Sequence, residues 1–109
     1  MITRKDLYTI NEVPGRKIIE ALGYVKGSTV QTKNIGKDFM AGLKSLVGGE
    51  IVGYTDMMNE ARQVATERLL KDAEALGANG VVGLRLQTSG VMGGAAEIIA
   101  YGTAVKFEE

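Results

Sequence analysis

The chain has 109 residues, 45% of them hydrophobic, and its 13 basic side chains balance 13 acidic ones. That length suits a single domain over residues 1–109, the apolar content excludes a wholly disordered chain, and the balanced charge offers no basic field to draw in nucleic acid or an anionic membrane. Cysteine and histidine are both absent, which excludes disulfides, thiolate chemistry, imidazole acid–base catalysis and nearly all zinc-type sites.

The opening residues, Met1 to Asp6, lack the apolar core of a signal peptide, and no apolar run approaches the roughly 20 residues of a membrane span. The expected location is therefore the cytoplasm. Leu7 to Ile10 reads as a first strand. Pro14-Gly15 follows as a turn, because proline presets φ at the first central position and glycine accepts a positive φ at the second. Lys17 to Lys26 reads as a longer strand, apolar on both faces through Ile18, Leu22 and Tyr24 on one and Ile19, Ala21 and Val25 on the other.

Asn34 is placed to cap a first helix running to about Val47, with Ile35, Phe39, Leu43, Leu46 and Val47 as its apolar stripe and Gly48-Gly49 as its stop. Gly42 falls inside that stripe, where close approach of another backbone would explain it. A second helix is marked by Tyr54, Met57, Met58, Ala61, Ala65, Leu69 and Leu76 on one face and by Gly77 and Gly80 at its end. Two strands complete the chain, Val81 to about Thr88 and Ala96 to about Phe107, joined by the glycine-rich hairpin loop Ser89 to Gly94.

The predicted class is α+β, in the order β-β-α-α-β-β, with an antiparallel sheet carrying its helices on one face. The last strand is the most informative element. Ile98, Ala100, Gly102 and Ala104 share one face, and Ile99, Tyr101, Thr103, Val105 and Phe107 share the other. Helices on one side leave the second apolar face uncovered, and another copy of the chain is the simplest cover. The small-residue row around Gly102 also suits close approach by another backbone.

Four segments in order then carry a resemblance: Asp38 to Glu50, Glu60-Ala61-Arg62 with Ala65, Leu76 to Gly83, and Tyr101 to Val105. Together they resemble the YbjQ-like bacterial family from about Gly15 to Val105. The resemblance implies a dodecin-like subunit assembled into a ring, a homopentamer in the family. It implies no defined biochemistry, since the family is uncharacterised and carries a heavy-metal-binding label by analogy. That label conflicts with a chain lacking thiolate and imidazole, the ligands soft metals prefer.

The binding candidates are Asp38, Glu50, Arg62 and Glu97, polar residues in or near the family-like segments. With Asp56 and Glu60, the carboxylates could hold a hard cation or act as paired acid–base groups, but they lack ligand-loop spacing and read better as solvated helix ends and rim charges. Met40, Met57, Met58 and Met92 could bind Cu(I), although Met57 and Met58 lie on the helix stripe as ordinary core. Arg68 and Asp72 stand four apart beside that stripe, in the less favourable order for a helical ion pair, which fits a partner elsewhere and plain surface placement equally well. The loop 89–94 lacks the lysine and following helix of a phosphate loop, and Ser28, Ser45 and Ser89 have no histidine to activate them.

No catalytic residue, metal ligand or cofactor is assigned. The expected partner is the chain itself, with any small-molecule ligand undefined, so the first reading is a non-enzymatic homo-oligomeric binding or scaffold protein. Its rivals are a metal-binding protein using carboxylates and methionine, and an enzyme using a carboxylate or a lysine such as Lys33 or Lys44 as base.

Overall fold

The computed structural model describes residues 2–31, 46–47, 50–91 and 95–109. After a 3-10 turn at Arg4–Asp6 come β1 (Ile18–Gln31), the short β2 (Leu46–Val47) and β3 (Glu50–Ile51), the helix α1 (Val52–Ala75), β4 (Gly80–Val91) and β5 (Ala95–Phe107). The three long strands form an antiparallel sheet in the order β1-β5-β4, and β2 pairs with β3 in a separate ribbon. The architecture is α+β, with α1 laid across β1 and β5.

Helix α1 matches its sequence pattern closely. Met57, Ala61, Ala65, Leu69 and Ala73 recur every four residues and are all buried. The C-terminus is a Schellman cap: Gly77, at φ +77°, donates its N–H to Glu74 O, and Ala78 donates to Ala73 O. Leu76 departs from the predicted stripe; it is 45% exposed because it sits at the cap rather than within the helix. The alanines let the helix lie close to the sheet, and β1 meets it with Gly27. A Cβ on Gly27 would collide with the Ala65 carbonyl oxygen and the Leu69 amide nitrogen.

The face of β5 carrying Ile98, Ala100 and Ala104 is fully buried in this core, together with Val25 and Val81. Gly102 in the same row is covered by β4. An irregularity between Val82 and Arg85 brings Val82 O and Leu84 Cα to within 3.1 and 3.4 Å of where its Cβ would stand. The small-residue row thus serves contacts inside one chain.

Several sequence expectations change. The predicted strand Leu7–Ile10 is reduced to a single bridge from Leu7 to Val81. The arm instead follows the irregular part of β4, with Tyr8 donating to Val81 O, Leu84 to Tyr8 O and Gly83 to Ile10 O. The kinked edge offers no regular ladder for a full strand. The predicted first helix falls mostly on residues 34–45, outside the described residues. Its last two positions, Leu46 and Val47, are not helical, because they pair with Ile51 and Glu50. One α-helix stands among the described residues. β1 runs on to Gln31 beside β5, and β4 continues through Ser89 and Gly90, which pair with Glu97 and Ala96. The turn at Pro14-Gly15 is present, with Gly15 at φ +85° and Arg16 donating to Val13 O.

The N-terminal arm closes one end of the sheet. Ile2 joins the core under α1, while Tyr8 and Val13 pack with Ile18 on the opposite face over Val82, Val105 and Phe107. Arg16 ties this cluster together. Its guanidinium lies 4.1 Å from the Phe107 ring centre, donates to the Tyr8 hydroxyl at 3.0 Å and pairs with Asp6 at 3.1 Å. Asn79 finishes the strand end, accepting the Phe107 N–H at 2.6 Å and donating to its carbonyl at 3.0 Å.

Beyond that end, the face away from α1 is open among the described residues. Tyr24 pairs in register with Thr103, Lys26 with Tyr101, Ser28 with Ile99 and Val30 with Glu97. Tyr24 is 65% and Val30 55% exposed, and Ile99 and Tyr101 are half-buried. The radius of gyration is 16.9 Å, against about 13 Å for a compact domain of this length.

Candidate functional site

Asn59, Arg62, Gln63 and Thr66 follow the i, i+3, i+4, i+7 spacing and form a polar stripe along α1, beside its alanine face. Because α1 covers β1 and β5 but barely reaches β4, this stripe borders a groove of about 420 Å³. Arg4 and Leu7 form the arm side of that groove and Leu84 the sheet side. Leu7 and Leu84 also pack against the core, so the groove has an apolar floor beneath a polar rim.

Three of the groove's polar side chains are already oriented. Arg62 donates to Asn59 Oδ1 at 3.0 Å, and the Thr66 hydroxyl donates back to Arg62 O at 2.7 Å. No carboxylate lines the groove among the described residues, and neither Arg4 nor Arg62 has an ion-pair partner among them. Asp6, the acid nearest Arg4 in the chain, is engaged elsewhere. It accepts from the Thr3 N–H at 2.9 Å and pairs with Arg16. Burial by itself would raise the Asp6 pKa, but the Thr3 hydrogen bond and the Arg16 charge outweigh it and hold the carboxyl below its ordinary value.

The sequence candidates separate in space. Arg62 lies in the groove, whereas Glu97 belongs to the opposite face of the sheet, in register with Val30 and Ser89. Glu50 pairs with Val47 in the small ribbon, and Asp38 lies outside the described residues. Met57 is buried and Met58 packs against the core, while Met40 and Met92 also lie outside the described residues. Arg4, Asn59, Gln63 and Leu84 were missed. The helical spacing around Arg62 could have revealed the two amides, but only the folded arm brings Arg4 and Leu84 to them.

Arg68 and Asp72 find their partners on β1 rather than in each other. Asp72 accepts the Lys26 N–H at 3.0 Å and Arg68 donates to Ser28 O at 2.7 Å, so α1 caps two outward backbone groups of an edge strand.

A family model described as "Putative heavy-metal-binding" matches residues 6–108. The chain belongs to this YbjQ-like family. It is 61% identical over 103 residues to a UPF0145 protein of Halalkalibacterium halodurans, covering 94% of this chain and 97% of that one. A UPF0145 protein of Thermus thermophilus is 55% identical over 100 residues, covering 92% of this chain and 88% of that one. Among solved structures, a DUF74 family protein of unknown function from Pediococcus pentosaceus superposes with a TM-score of 0.58 at 20% identity, over 94% of this chain and 96% of its own. That likeness supports the fold alone.

The described residues of this YbjQ-like chain do not fit a soft metal. It has no cysteine or histidine, and no three carboxylates converge among the described residues. No helix among the described residues is long and apolar enough to cross a membrane.

Proposed function

We propose that this YbjQ-like chain is a subunit of a cytoplasmic homo-oligomer that binds or scaffolds without catalysing a reaction. The observation that carries this reading is the open sheet face, where Tyr24, Val30, Ile99 and Tyr101 are interleaved with Lys26, Arg85 and Glu97. Tyrosines and arginine amid aliphatic side chains are a composition favoured in protein interfaces. The described residues provide no layer to cover this face, and the extended shape, 52 × 25 × 20 Å, agrees with a part of a larger body. A closed ring satisfies such a face by repetition, and five copies is the number the family resemblance implies.

Native mass spectrometry with light scattering at micromolar concentration tests this directly. The expected mass is several times 11.6 kDa, with five copies favoured and no stoichiometric metal retained. A clean monomer overturns the assembly, and one tightly held metal ion per chain would favour the metal-binding rival.

A further inference from the structure

We infer that the groove between α1, the N-terminal arm and β4 binds a small organic anion, one carrying a carboxylate or phosphate head on an apolar body. This gives the binding half of the proposed function its ligand class and rests on that reading, although every described lining residue comes from one chain. Three features point to it. The whole chain is electrically neutral, yet the described lining carries Arg4 and Arg62 and no acid. Asp6, the acid nearest Arg4 in sequence, is held by Thr3 and Arg16 and cannot neutralise the groove without breaking both contacts. Leu7 and Leu84 form an apolar floor that inorganic phosphate alone would leave unused.

Guanidinium groups present paired N–H donors matched to carboxylate and phosphate oxygens. Arg62 is preset by its bond to Asn59, leaving its remaining donors for a ligand, and the Gln63 amide stands one step along the same stripe. The groove of about 420 Å³ is open to solvent, so a ligand lies across it rather than enclosed within it. Arg4 and Arg62 are both exposed, so their charges are screened by salt, and the affinity should fall as ionic strength rises.

Calorimetric titration of the intact protein with phenyl phosphate, benzoate, inorganic phosphate and phenol reads out head and body separately. Saturable binding at one site per chain is expected for phenyl phosphate or benzoate, at least about tenfold tighter than for inorganic phosphate or phenol. Whichever of the first two binds tighter identifies the head group. The double variant Arg4→Gln/Arg62→Gln should weaken binding about tenfold or more, while Lys106→Gln, outside the groove, should not change it. Light scattering and thermal melts on the same samples keep assembly and folding separate from binding, so a monomer that still binds sinks only the assembly. Absence of saturable binding up to about 10 mM overturns the inference, as does full affinity in a folded double variant.

Discussion

At one end of the sheet Val82, Val105 and Phe107 are buried beneath Tyr8, Val13 and Ile18, with Arg16 laid over the Phe107 ring. At the other end the same strands carry Val30 more than half exposed, and residues 85–90 of β4 are exposed throughout. β5 is apolar on both faces at each end, so composition alone does not distinguish them. The difference is supply: the N-terminal arm is long enough to wrap one end, and the described residues leave the other open. The closed end should therefore govern the stability of one chain, and the open face should govern association.

The largest effect is expected from Phe107→Ala. It removes a ring that is 1% exposed and leaves a cavity among Tyr8, Arg16 and Gly80, at a cost of about 3–5 kcal/mol, readable as a lower urea midpoint. A loss under 1 kcal/mol would mean that the arm does not depend on this ring. Gly102→Leu comes next, at about 1–3 kcal/mol, because Val81 Cγ1 stands 2.9 Å from its Cβ position and the β4 backbone lies just beyond. Circular dichroism and sedimentation should show the fold weakening, with association lost as a consequence. Dissociation of a normally stable chain would instead place this row at a subunit contact.

Tyr24→Asp sharpens the comparison from the open side. Tyr24 is 65% exposed, so the chain's own stability should move by no more than about 0.5 kcal/mol while the assembly loses mass in light scattering. Unchanged mass would remove Tyr24 from the interface. The smallest effect concerns acid. The folded pKa of Asp6 lies below its ordinary value, so its contribution is complete above that value and is lost as pH falls through the lowered one. Melting curves below about pH 4 should therefore decline less steeply for Asp6→Asn than for the unaltered chain. Identical slopes would show that the carboxyl does not hold the closed end.

Helix α1 and the two last strands were legible because their signals are local. Alanines and leucine at every fourth position, a glycine able to adopt φ +77° at the cap, and runs of β-branched residues depend on neighbours a few positions away. YbjQ-like membership was legible for the same reason, through short segments in order. What the sequence could not reveal were contacts whose partners lie far apart in the chain. Arg68 and Asp72 read as a poor helical pair, and only the folded chain shows them capping Ser28 and Lys26 on β1. Asn79 carried no role of its own in the sequence beyond the family-like segment Leu76 to Gly83, yet it completes the strand end at Phe107. Of the groove, Arg62 was a candidate from the sequence, but Arg4, Leu7 and Leu84 meet it only after the arm packs along the irregular stretch of β4. Periodicity records which way a residue faces on its own element. Which element it then faces is decided by packing, and that is a property of the whole chain.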